Sequence, residues 1–287
     1  MFTQQLVNGV SLGFVYALLA LGLALAYSTS RVINFAHGDV FTLGAFVGLG
    51  LQRHLGIHFG LAAVGASIAV FLGGAVFSYH VLWRLRTSLE RSVSTIALGL
   101  GLRDGMLIIF GSDSQSFDAV YPTGVIGIGG MVLPSSLLIV IALTALLLVG
   151  VGLAVTMTSI GIQMRAAAQD PELAAMIGIS TRNIQALGFG SGCMLAAAAG
   201  VLVGPVWQVY YAAGSPVGVK AFTAALLGGF GSLKGATLGG LMVGVLEALL
   251  AGYVSSTWKD LGVYACLLIT LLLLPRGLVH TGPSRVG

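Results

Sequence analysis

Charge is the scarcest thing in this 287-residue chain, with Asp, Glu, Lys and Arg together making up 8% of it. Soluble domains carry about 25%. Hydrophobic residues make up 57%, and the mean hydropathy of +1.01 places the chain in a bilayer as a polytopic protein. The two cysteines, Cys193 and Cys266, both lie in apolar runs and are too few for a disulfide framework or a thiolate metal site, so they read as small buried hydrophobes. No basic residue precedes Arg31, so the charged start of a cleavable secretory signal is missing. A GxxxxGK[ST] phosphate loop and an HExxH helix are also missing, and no His, Cys and carboxylate set occurs at ligand spacing. Neither ATP hydrolysis nor metal catalysis is expected of this polypeptide.

Long apolar runs are plentiful. Residues 6–27, 59–83, 134–157, 183–206 and 261–275 are free or nearly free of charge, and most reach the roughly 17 to 25 residues that cross a bilayer. Residues 93–110, 217–233 and 236–254 are further spans, each carrying a charge. Residues 38–51 are short for a perpendicular crossing. The expected fold is all-α, one transmembrane bundle over residues 1–287 with eight or nine segments, of which 38–51 and 217–233 are candidates for re-entrant pieces. Basic residues give the orientation. Arg31, Arg84, Arg86, Arg91, Arg165, Arg182, Lys234, Arg276 and Arg285 fall on one side and Arg53, Lys220 and Lys259 on the other, with Arg103 inside a span. By the positive-inside rule the first side is cytoplasmic and the loop at 111–133, with Asp113 and Asp118, is outside. The pI near 9.3 therefore reports topology and does not indicate nucleic-acid binding.

Glycine is in excess, at 43 residues, and is concentrated in LLGGFGSLKGATLGGLMVG at 226–244. Small residues let helices approach closely and also let them break. A tight hairpin or discontinuous helix is expected around Gly228, Gly229, Gly231 and Gly235, serving packing or lining a substrate path. Residues 42–45 (TLGA) and 237–240 (TLGG) echo one another and hint at an internal repeat. A second break is INFAHGD at 33–39, where Asn34, His37 and Asp39 either cap helix ends or line a passage, capping by Asp39 being favoured.

Arg103, Asp104 and Glu247 interrupt spans. Each charge costs about 2.5 kcal/mol or more at the bilayer centre, so such residues face water, a partner or each other. Adjacent helical residues point about 100° apart, so Arg103 needs a partner other than Asp104, and Glu247 is one possibility.

The most completely punctuated segment is RAAAQDPELAAMIGI at 165–179, inside a cytoplasmic loop at 157–182. Asp170 suits the N-cap, Pro171 the first helical position, Glu172 the first turn, and Gly178 the left-handed residue that ends the helix. Two turns of helix are marginal alone and need a surface to rest on, either this protein's or a partner's.

Residues 9–27 followed by INFAHGD, the 165–179 segment, and KAFTAALLGGFGSLKGATLGG at 220–240 with Glu247 together resemble the membrane permeases of branched-chain amino-acid ABC importers. The likeness is to the first permease of the leucine, isoleucine and valine system and covers nearly the whole chain, weakening at 111–133. It implies a bacterial inner-membrane importer working by alternating access. This chain would pair with a second homologous permease, two cytoplasmic ATPases would carry ATP and Mg, and a periplasmic binding protein would deliver substrate. It also implies that residues 165–178 form the coupling helix seated on the ATPase, with Arg165, Asp170, Pro171, Glu172 and Gly178 shaping it. Where such permeases often carry an uncharged amide pair, this chain has Arg103 and Asp104. An acidic substrate is one reading of that departure and a compensating structural pair is the other. The competing classes are a channel for urea, amides or other small solutes, and a secondary transporter driven through its membrane carboxylates.

Overall fold

A computed structural model describes residues 2–117, 120–122, 124–128, 131–274 and 277–279. Asp118, Pro275, Arg276 and Arg285 lie outside the described residues. Eleven α-helices are described: α1 (Phe2–Ser30), α2 (His37–Leu55), α3 (Phe59–His80), α4 (Ser88–Phe110), α5 (Ser135–Met157), α6 (Ser159–Gln169), α7 (Pro171–Met176), α8 (Thr181–Val203), α9 (Gly214–Gly228), α10 (Leu233–Tyr253) and α11 (Lys259–Leu273). A short hairpin, β1 (Val125–Ile128) and β2 (Met131–Pro134), pairs antiparallel between α4 and α5.

Six of these elements are long and apolar enough to cross a membrane: α1, α3 with the turn that follows it, α4, α5, α8 and α10. The remaining segments of the expected eight or nine are α2, α9 and α11. Helix α9 ends at Gly228 instead of running on to residue 233, because Gly229 and Gly231 take φ of 106° and 93°, a region in which side-chain-bearing residues are strained.

The helices differ sharply in burial. Helices α1 and α8 are 83% and 78% buried over an 18-residue window, whereas α3, α4 and α5 are 17% buried and show Leu, Ile and Val outward. Lipid is as apolar as leucine, so no hydrophobic force draws the large residues inward. Small residues mark the places where helix backbones touch. Gly9, Gly13 and Ala17 of α1 lie against Val245, Leu241 and Gly240 of α10, and Gly190 of α8 lies against Phe71 and Ala75 of α3.

These contacts reveal an inverted arrangement. Helix α1 packs on α10 as α8 packs on α3, and α2 leans on α8 as α9 leans on α1. The related sets are therefore α1–α4 and α8–α11, in which α2 corresponds to α9. The echo between 42–45 and 237–240 matches α2 with α10 instead. Glycine density explains that resemblance, since both stretches pack against helix backbones.

Candidate functional site

Helices α2 and α9 both begin inside the bundle. Residues 31–36 leave α1 without helical structure, held by side chains that replace the missing backbone bonds: Asn34 Oδ1 accepts from the amide of Ala36 at 3.1 Å, and Thr95 Oγ1 of α4 accepts from the amide of Phe35 at 3.1 Å. The Nε2 of His37 lies 3.0 Å from the Leu19 carbonyl, halfway along α1, and since a carbonyl only accepts, that nitrogen carries the proton. Nδ1 of His37 is buried with no partner among the described residues. Gly38, the next residue, touches Gly214 at the start of α9, backbone on backbone.

Asp39 does not cap α2. The N-cap position is Ala36, and Asp39 lies in the first turn, where its carboxylate receives Arg103 of α4 at 3.2 Å. The expectation that Glu247 pairs with Arg103 is thereby overturned. Asn34, His37 and Asp39 are all buried, so the break is a packed polar seam. Asp104 points away from it, as the helical angle requires, and is exposed. Arg103 thus has the partner that the compensating-pair reading requires.

Glu247 belongs to a separate cluster. Its Oε2 accepts from the Tyr16 hydroxyl at 2.7 Å, its Oε1 accepts from Lys220 at 2.7 Å, and Lys259 approaches Oε1 at 3.5 Å. Lys220 also meets Asp260 at 2.7 Å, so two cations and two anions from α9, α10 and α11 close on one another beside α1. Lys220 is buried in α9, as the charge carried by the 217–233 span. Such a balanced cluster joins α9, α10 and α11 beside α1.

The glycines at 228–235 form the hairpin alternative. Ser232 caps α10 by accepting from the amide of Gly235 at 3.1 Å, and Gly228 and Gly235 are so close that a β-carbon on either would meet the other's carbonyl. The turn lies at the arginine-rich end, where Phe230 packs edge-on against Tyr27 of α1.

The 165–179 segment keeps its expected punctuation. Asp170 Oδ1 accepts from the amides of Glu172 and Leu173 at 2.9 and 3.0 Å, with Pro171 at the first helical position. The helix ends at Met176, with Ile177 as the C-cap. Gly178 has φ of 89°, and the amides of Gly178 and Ile179 return to the carbonyls of Ala175 and Ala174. That double return is a Schellman ending. Ala174 is buried in a small cluster with Met164 and Ile184, while Leu173, Met176 and Ile177 are 59%, 81% and 75% exposed. Arg165 turns inward and donates to the carbonyls of Val155 and Thr156 at the end of α5, which fixes α6 against the bundle.

A cavity of about 200 Å³ opens at the other end, between α1, α5 and the end of α8, lined mainly by Leu12, Val15, Val140 and Trp207 with Asn8 and Ser11. None of the residues singled out in the sequence lines it. The string Gly9-Val10-Ser11-Leu12-Gly13 has the GxSxG form of a hydrolase elbow, but it lies within continuous helix α1, without the strand-to-helix turn that exposes a nucleophile. No group of three or more potential metal ligands occurs among the described residues.

Residues 5–272 match the family model described as branched-chain amino acid transport system / permease component. The chain belongs to this permease family. It is 34% identical to the high-affinity branched-chain amino acid transport system permease protein BraD of Pseudomonas aeruginosa and 32% identical to LivH of Escherichia coli, in both cases over 97% of this chain and 95% of the relative. A probable LivH permease of Methanocaldococcus jannaschii is 29% identical over 91% of the chain and 87% of its own length. Among solved structures, PsaBC from Streptococcus pneumoniae in complex with Fab superposes with a TM-score of 0.51 at 17% identity, covering 96% of this chain and 93% of that one. At that identity the likeness shows the fold. The permease is thus a multi-pass membrane transport component.

Proposed function

We propose that this permease is one half of the membrane pore of an ATP-driven importer for branched-chain or closely related amino acids. It would lie in the bacterial inner membrane with its arginine-rich end in the cytoplasm. A second homologous permease pairs with it, two ATPase chains bind ATP and Mg, and a periplasmic binding protein delivers substrate. The reading of the relatives as branched-chain amino acid permeases supports the substrate class.

The observation that carries the ATPase partnership is α7. Leu173, Met176 and Ile177 present apolar surface on a helix capped at both ends, in a chain without a phosphate loop. A helix of six residues is not stable by its own hydrogen bonds, and it is held here by Ala174 on one side with the other side bare. An ATPase groove would cover that side, and nucleotide-driven closure would move α6 and α7 against the bundle. The second permease is supported by Asp104, an exposed carboxylate within α4, whose lipid exposure would cost about 2.5 to 3.5 kcal/mol. A partner helix or an aqueous path between the two permeases removes that cost.

The test is mild-detergent affinity purification of the tagged chain from its native membrane, with mass spectrometry and an ATPase assay on the eluate. Recovery of two ATPase chains and a second permease is the expected result. Recovery of this chain alone, without ATPase activity, overturns the importer reading in favour of an autonomous channel or secondary transporter.

A further inference from the structure

Arg31 is the only residue other than glycine with positive φ among the described residues, at 54°. It occupies the left-handed position just past the end of α1, its amide returning to the Tyr27 carbonyl at 2.8 Å. Glycine is the usual occupant of that position, because a β-carbon crowds the backbone there. The guanidinium of Arg31 reaches across to α6 and donates to the carbonyl of Ala168. That carbonyl belongs to the last turn of α6, two residues before Asp170 caps α7, where the helix dipole favours a cation.

Arg31 also begins the unwound segment that enters the membrane. Four residues on, the Phe35 amide donates to the Thr95 hydroxyl of α4 at 3.1 Å, while that hydroxyl gives its own proton to the Ser92 carbonyl at 2.7 Å and lies 3.3 Å from the Ile33 carbonyl. The same segment ends at α2, whose Asp39 is paired with Arg103 higher on α4. A line of polar contacts therefore runs from α7 through the end of α6 and Arg31 to two fixed points on α4, the helix that carries exposed Asp104.

We infer that Arg31 is a positioning residue that transmits the displacement of α6 and α7 to the broken start of α2 and to α4. The inference rests on the importer reading above. The neighbouring arginines at the same end also hold helix-end carbonyls, but within the scaffold: Arg182 grips the Tyr79 carbonyl and stacks on its ring at 3.7 Å, and Arg165 ties α6 to α5. Arg31 differs in that it is the last residue tied to α1 by a backbone bond and the residues that follow it, 32–36, form no helix, so a pull on its side chain can change their path. The left-handed backbone at Arg31 separates this role from fold support. Arg31→Gly relaxes the backbone while deleting the guanidinium.

The experiment uses the complete importer in proteoliposomes, with leucine as the probe, and measures uptake per ATP hydrolysed alongside complex yield and melting temperature. Arg31→Gly is expected to keep yield and melting temperature at or above wild type and to retain basal ATP hydrolysis, while uptake per ATP falls about tenfold, within the usual span of coupling between sites. Arg31→Lys keeps the cation without the fork and is expected to recover part of the loss. Uptake per ATP within about twofold of wild type in Arg31→Gly overturns the inference. Parallel loss of yield, stability and uptake also overturns it, by assigning Arg31 to the fold alone. Failure of the wild-type complex to transport with ATP is a different result, which removes the importer reading itself.

Discussion

Gly38 of α2 and Gly214 of α9 meet backbone against backbone in the middle of the bundle, and a β-carbon on either would overlap the other's carbonyl. Both helices begin at this contact after an irregular approach from opposite ends of the protein. Gly38→Ala or Gly214→Ala must push the two helix starts apart, at a cost of about 1 to 3 kcal/mol as for other overpacked interiors. Melting of the purified variants in detergent is expected to fall accordingly, whereas Gly101→Ala, where a β-carbon meets nothing within 4 Å, leaves it unchanged. Equal melting of all three variants would show that the crossing is looser than the structure has it.

The Lys220 cluster is expected to respond unequally to its members. Lys220→Met leaves Glu247 with the Tyr16 hydroxyl and the longer Lys259 contact but without its close buried cation, and costs about 3 kcal/mol, the low end for broken buried pairs because Asp260 is partly exposed. Glu247→Gln costs less, because Lys220 retains Asp260. The double variant Lys220→Met, Glu247→Gln is expected to be more stable than Lys220→Met alone, and a double-mutant cycle by thermal unfolding measures the difference.

Arg103 is expected to matter to every substrate alike. Its removal leaves the Asp39 carboxylate, whose side chain is 9% exposed, without a counter-charge, so Arg103→Gln lowers folded yield and uptake of neutral and carboxylate solutes together. The acidic-substrate reading of the sequence would instead give selective loss of carboxylate uptake. Neutralising both residues, Asp39→Asn with Arg103→Gln, should recover most of the yield. Selective loss of carboxylate uptake in the single variant, at wild-type yield, would return Arg103 to the substrate path.

Gly178→Val should misplace the end of α7. The site requires φ of 89°, where a side chain costs about 1 to 2 kcal/mol, and a β-branched one crowds the Schellman ending further. The variant is expected to insert normally and to retain less ATPase in pull-down from membranes. Full retention and full transport would show that the docking surface does not depend on this turn.

Much of the local structure was legible because it depends on neighbours in sequence. The caps of α7 were readable from Asp170, Pro171 and Gly178, since each acts within four residues of itself. The break at 33–39 and the turn at 228–235 were readable from polar and glycine content in apolar surroundings. Asp39 was misjudged because the usual preference for carboxylates at helix starts says nothing about Arg103, 64 residues away on another helix. Lys220, the charge within the 217–233 span that was also counted on the outer side, is tolerated in a helix because Glu247 and Asp260 arrive beside it.

Composition and periodicity by themselves determined that this chain lives in a membrane as a helical bundle, because an apolar chain in lipid must satisfy its backbone bonds within helices. Which helices lie at the centre, which charges neutralise one another, and the meeting of α2 with α9 were decided only by tertiary structure. In lipid, hydrophobicity does not sort one apolar helix from another. That choice falls to close packing of small residues and to charge pairing between segments far apart in sequence.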